Sequence, residues 1–166
     1  MSNRIGLFFF PFSGLYDDKN RFTKACFSGL DLSHDRYHLA RAVMEGVAVQ
    51  ICWMMEAFKE KPDPKEGIIL SGGASKSPLW TQLLADISGL PIRIPDQPDL
   101  ACIGAAILAG VGSGVFSDVR QGCDMLCVNS RKVMPRPETH EKYLECFTRY
   151  KETAEALGNA QRRKDL

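Results

Sequence analysis

Gly67 to Gly89, GIILSGGASKSPLWTQLLADISG, reads as strand, glycine turn and helix in one unbroken run, and it limits what can surround it. Ile68, Ile69 and Leu70 form the short apolar run of a buried strand, which Ser71-Gly72-Gly73-Ala74 breaks. Ser77 is a good N-cap, and Pro78 falls at the first helical position, where its missing N–H costs nothing. Leu79, Leu83 and Ile87, with Trp80 and Leu84 beside them, give one apolar face, and Gly89 ends the helix where a left-handed residue is wanted. A glycine pair before a helix lets a ligand approach the backbone and offers free N–H groups, which suits a nucleotide. The same pair equally serves a tight turn that only packs helix on sheet, since the spacing matches neither GxGxxG nor the phosphate loop GxxxxGK.

The elements on either side extend the pattern. Gly6 to Phe12 is apolar enough for a strand that Pro11 cuts short, Ser13 to Arg21 is polar and turn-rich, and Ala25 to Leu30 reads as a second strand. Asp31 to Ser33 offers cap candidates for a helix from His34 to about Lys59, where Leu39, Val43, Val47, Ile51, Met54 and Phe58 recur at helical spacing. Gly46 inside that helix implies a close backbone approach. Leu90 to Pro95 reads as a further strand and Ala101 to Gly110 as a helix pressed closely on its neighbours. Asp118 to Leu126 is a short helix or loop, and a last amphipathic helix spans roughly Glu138 to Leu157. Strands alternating with helices predict an α/β chain with a parallel sheet, whose ligands sit beyond the carboxyl ends of the strands, at Ser71 to Ala74. One domain over residues 1–157 and a frayed tail at 158–166 are expected.

Composition narrows the function classes. With 21 basic and 20 acidic side chains the net charge is +1, so nothing draws the chain to nucleic acid or a membrane surface. No apolar run approaches the ~20 residues needed to span a bilayer, and MSNRIGLFFFPF lacks a cleavage site for a signal peptide. The six cysteines form no CxxC; Cys52, Cys102 and Cys146 fall in apparent helices as packing thiols, which implies a reducing, cytoplasmic setting. Cys123 with Cys127, and His34 with His38, lack the further ligands that a metal site needs.

Ala25 to Leu30 (ACFSGL), followed after seven residues by His38 to Glu45 (HLARAVME), resembles the second signature of the FGGY carbohydrate kinases. Gly72-Gly73-Ala74, with Ser77-Pro78-Leu79-Trp80, Gln82 and Leu84-Ala85-Asp86, looks like that family's adenosine motif, and Ile103-Gly104-Ala105-Ala106 looks like its closing ALGAA element. The resemblance implies an actin-like, ribonuclease-H-like ATPase fold, and the C-terminal domain of it, incomplete at its N-terminus. It implies transfer of the γ-phosphate of ATP, with Mg²⁺, to a hydroxyl of a xylulose-like sugar or polyol. By position Gly72, Gly73, Ala74 and Ser77 would contact the adenosine. The general-base Asp and first phosphate loop would lie in an N-terminal kinase domain outside this chain, so no catalytic residue and no metal ligand is assigned here. The chain alone is then expected to be inactive. Ser13-Gly14-Leu15-Tyr16-Asp17 departs from the Gly-Glu-Arg of many relatives, and Ser71 stands where they carry a first glycine. The competing reading is a non-enzymatic actin-like module for regulation or oligomerisation. An open sheet edge left by missing strands would invite a second chain and allow a homodimer.

Overall fold

The computed structural model describes residues 6–11, 25–56, 58, 65–97, 99–126 and 129–162. The elements are β1 (Phe8–Phe10), β2 (Cys26–Ser28), α1 (Arg36–Glu56), β3 (Ile68–Ile69), a 3₁₀ turn at Gly73–Lys76, and α2 (Pro78–Ser88). They continue with β4 (Ile92–Pro95), α3 (Leu100–Gly112), α4 (Val119–Leu126), β5 (Ser130–Val133) and α5 (Pro137–Arg162). The expected features of Ser13 to Arg21, the end of the first helix beyond Phe58, and Cys127 lie outside the described residues. The chain divides into two compact units.

The first unit holds β1, β2, α1, the last turn of α2 with Gly89, and α5. β1 and β2 pair antiparallel, Phe9 opposite Phe27. β1 packs on α1 at a place where only hydrogen fits: a Cβ on Gly46 would lie 2.1 Å from the Phe9 carbonyl oxygen. Phe8 and Phe10 are buried against Tyr150 of α5, whose ring stacks on Phe10 at 4.4 Å between centroids. The Tyr150 hydroxyl donates to the Phe9 carbonyl at 3.3 Å, so the phenol buries its ring and keeps its hydrogen bond. α1 begins at Arg36, two residues later than expected. Asp35 is its cap: one carboxylate oxygen accepts from the amides of Tyr37 and His38 at 2.9 and 3.0 Å. Those bonds, led by the one from the His38 amide, hold the Asp35 carboxyl below its usual range. Asp31 and Ser33 are spent on their own turn, the Ser33 amide and hydroxyl both donating to Asp31.

The second unit holds β3, the 3₁₀ turn, α2 up to Ala85, β4, α3, α4 and β5. Its sheet has the order β3-β4-β5. β3 and β4 are parallel, as a strand-helix-strand crossover requires, but β5 runs antiparallel to β4. The single parallel sheet expected from the alternation of elements is therefore replaced, among the described residues, by an antiparallel pair in the first unit and, in the second, a sheet with one parallel and one antiparallel pairing. β5 escaped notice because Ser-Arg-Lys-Val has no apolar alternation to mark it. Leu83, Leu84, Ala85, Ile92 and Ile107 are buried in this unit. Asp99 caps α3 through the amides of Ala101 and Cys102, both at 3.1 Å.

Two further expectations change. α3 is not enclosed: only Ile107 and Gly110 are buried, while Ala101, Cys102, Ala105, Ala106, Leu108 and Ala109 are exposed. Small residues allow close packing without supplying a partner. α5 continues through Arg162, past Leu157, so residues 158–162 of the expected tail are helical.

Candidate functional site

The run Ser71 to Ser77 leaves β3 and enters α2 as one exposed turn. Ser71, Gly72 and Gly73 are exposed, Ala74, Ser75 and Ser77 half-buried, and Lys76 exposed. Gly72 has φ 75° and ψ −157°, a region that side chains other than hydrogen resist. Gly73 has no positive φ, so of the two glycines only Gly72 needs a backbone freedom that other residues lack. No atom lies within 4 Å of a Cβ built on either one, and the space beside the turn is open.

The hydrogen bonds of the turn explain its shape. The Ser75 amide and hydroxyl both donate to the Gly72 carbonyl, at 3.3 and 2.7 Å, and the Ser77 amide donates to Ala74 at 3.2 Å. Ser77 then accepts from the Trp80 amide at 3.3 Å through its hydroxyl, the capping bond expected of it, with Pro78 at the first helical position. The amides of Gly73 and Ala74 open the 3₁₀ turn and have no acceptor among the described residues. All four predicted contact residues, Gly72, Gly73, Ala74 and Ser77, thus share this one turn. Ser75 was not singled out; a hydroxyl three residues after a glycine is the signal that could have found it.

α2 departs from its expected face. Leu83, Leu84 and Ile87 are buried, but Leu79 is 51% exposed and Trp80 half-buried, so the apolar stripe fades toward the site. Asp86 is 1% exposed and held by Arg136: the Arg136 amide donates to Oδ1 at 2.9 Å and its Nε to Oδ2 at 3.1 Å. His140 Nδ1 lies 2.9 Å from the Asp86 carbonyl, and the His140 ring fills the place of a side chain at Gly89, whose φ is 69°. A buried carboxylate needs such partners.

Glu45 is 5% exposed and braced in the same manner. Arg41 Nε and the Tyr143 hydroxyl each donate to its Oε1 at 2.7 Å, and Arg41 also donates to the Tyr143 oxygen at 2.9 Å. Glu45 therefore ties α1 to α5 within the first unit. Burial is the main reason the Tyr143 phenol is pushed well above its ordinary range.

The histidine pair is engaged locally: His34 Nδ1 accepts from the Asp31 amide at 3.0 Å and His38 Nδ1 lies 2.8 Å from Asp35. Among the described residues no group of three or more His, Cys, Asp or Glu side chains is placed to hold a metal. Of the cysteines, Cys52 and Cys146 are half-buried in helices, whereas Cys102 and Cys123 are exposed rather than packed. Among the described residues no helix is long and apolar enough to cross a membrane.

The model of the FGGY family of carbohydrate kinases, C-terminal domain, matches residues 7–113, which take in β1 through the C-cap of α3. The chain belongs to this family. It is 33% identical over 134 residues to the probable L-xylulose kinase of Pasteurella multocida (strain Pm70), covering 81% of this chain and 27% of that protein. It is 32% identical over 152 residues to the L-xylulose/3-keto-L-gulonate kinase of Escherichia coli (strain K12), covering 91% of this chain and 30% of the relative. Among solved structures it resembles a gluconate kinase from Lactobacillus acidophilus, with TM-score 0.77 and 26% identity, over 92% of this chain and 31% of that one. The chain thus spans about three tenths of the length of these relatives, and its α/β architecture is part of the actin-like fold of FGGY sugar kinases.

Proposed function

We propose that the turn from Ser71 to Ser77 holds the adenosine end of ATP, through Gly72, Gly73, Ala74 and Ser77, in a kinase that phosphorylates a sugar or polyol hydroxyl. The observation that carries this reading is the pair of unclaimed amides, Gly73 and Ala74, on an exposed turn with open space beside it, inside the stretch matched to the family. Backbone N–H groups suit the acceptor nitrogens of the purine and the ribose oxygens, and Gly72 makes the close approach sterically free.

Phosphoryl transfer depends on positioning and on neutralising charge more than on covalent help. This chain would supply the positioning of the nucleotide. Mg²⁺ would travel on the phosphates, and its ligands, like the carboxylate that accepts the hydroxyl proton, belong to the remainder of the kinase. A xylulose-like acceptor is supported by the names of the L-xylulose kinases it resembles. The chain alone would be inactive, and sugar-dependent turnover of ATP by the purified 166 residues would overturn that point. A cytoplasmic setting fits the free thiols of Cys26, Cys52, Cys102, Cys123 and Cys146.

The test is Gly73→Val in a chimera that joins this chain to the part of the Escherichia coli relative outside the matched stretch. Nothing within 4 Å resists the new side chain and φ is ordinary, so the fold should hold while the side chain blocks the approach. The dissociation constant for ATP is expected to rise at least about tenfold, equivalent to about 1.4 kcal/mol. An unchanged ATP affinity with an intact fold retires the assignment.

A further inference from the structure

Between Glu66 and Asp86 the chain carries a single charged residue, Lys76, and it stands in the exposed turn. The acids that bracket the stretch are engaged, Glu66 with Arg93 at 2.7 Å and Asp86 with Arg136. Lys76 is exposed, and its ammonium makes no ion pair or hydrogen bond among the described residues. The hydroxyls beside it are spent on the turn itself: Ser75 donates to the Gly72 carbonyl at 2.7 Å, and Ser77 accepts from the Trp80 amide at 3.3 Å.

The direction of the lysine follows from the 3₁₀ turn Gly73–Lys76. With three residues per turn, side chains at i and i+3 eclipse, so the Lys76 stem leaves the backbone on the side where Gly73 has only hydrogen and open space beside it. An unpaired cation therefore rises from the face that admits a close ligand, next to the Gly73 and Ala74 amides that have no acceptor among the described residues. With no carboxylate in ion-pairing reach among those residues, an anion arriving there meets the full charge.

We propose that Lys76 lets this turn distinguish a 5′-phosphorylated nucleotide from the bare nucleoside, its ammonium pairing with the phosphate nearest the ribose. The inference rests on the nucleotide reading of the turn and adds to it the full positive charge that the glycines and Ser77 cannot supply. Reach selects the phosphate. Base, ribose and first phosphate follow in that order from the amides, and a lysine stem is short beside a triphosphate. The terminal phosphate has to meet the sugar hydroxyl, so its neutralisation belongs to the remainder of the kinase. Lysine suits a single phosphate because it is a compact point charge that needs no fork geometry.

The experiment is isothermal titration of the chimera described above with adenosine, AMP and ATP, without magnesium so that no metal masks the phosphate charge. Lys76→Met keeps the length of the side chain and removes the charge at an exposed position on which the fold does not depend. Its dissociation constants for AMP and ATP are expected to rise about tenfold, as for the loss of a hydrogen bond to a charged group, while that for adenosine stays the same. Lys76→Arg, which keeps the charge, is expected to bind AMP as the parent chimera does. Unchanged AMP affinity in Lys76→Met overturns the inference. So does an equal weakening of adenosine and AMP, because the lysine then serves the base or the turn and not a phosphate. Gly73→Val separates this inference from the reading beneath it. If that variant loses adenosine affinity while Lys76→Met binds AMP normally, the phosphate contact alone is lost; if adenosine affinity is indifferent to Gly73→Val, the nucleotide reading falls and takes the contact with it.

Discussion

Gly46→Ala is the substitution whose effect the first unit specifies most sharply. The ideal Cβ lies 2.1 Å from the Phe9 carbonyl oxygen and 3.0 Å from its carbonyl carbon, and contacts below 3.0 Å are essentially never found. β1 and α1 must therefore separate by about 0.9 Å before the contact becomes tolerable, and they do so in a layer that includes the stacked rings of Phe10 and Tyr150. Overpacking of this kind costs ~1–3 kcal/mol, against which alanine recovers ~1 kcal/mol of helix propensity. The net loss is up to ~2 kcal/mol, or a fall of about 4–8 °C in Tm for a chain of this length. Gly104→Ala is the control, since no atom lies within 4 Å of its Cβ in α3. It should raise Tm by about 2–4 °C through propensity alone. Thermal unfolding followed by far-ultraviolet circular dichroism reads both. Equal shifts in the two variants would refute the steric argument and leave only propensity.

Tyr143→Phe removes a donor to buried Glu45 and an acceptor for Arg41, and should cost about 1.5–3 kcal/mol in urea unfolding, as expected for a hydrogen bond to a charged group. A loss below ~0.5 kcal/mol would mean that the Arg41 bond alone satisfies Glu45. Alkaline pH gives a separate test: burial pushes the Cys52 thiol up to about 12 and raises the Tyr143 and Tyr150 phenols. The folded state then keeps protons that the unfolded chain releases above its own thiol and phenol pKa values. Stability should be full below about pH 9 and fall above it, by up to ~1.4 kcal/mol per pH unit for each group. Urea midpoints that stay flat from pH 8 to 11 would contradict the burial of these groups.

Local signals in the chain were sufficient for the strand, turn and helix from Gly67 to Gly89, because Ser77, Pro78 and Gly89 act through bonds to their own neighbours. They were also sufficient for the close approach at Gly46, since glycine inside an apolar helix needs a packing reason. The start of α1 was misplaced by two residues because Asp31, Ser33 and Asp35 are equally good caps on paper, and only the folded loop shows which amides each one meets. β5 stayed hidden because an edge strand is made by the strand beside it, not by its own apolar pattern.

The amino-acid order by itself determined the family, the succession of elements from β1 to α3, and the turn that presents Gly72, Gly73, Ala74 and Ser77. Each depends on residues close together in the chain, where capping, φ preference and periodicity act without help. The tertiary structure alone decided that Glu45 and Asp86 are braces, since their partners Tyr143 and Arg136 lie 98 and 50 residues away. It also decided that α3 is largely uncovered, with only Ile107 and Gly110 buried. Burial and pairing are properties of what a residue is folded against, and no local pattern in the chain encodes that.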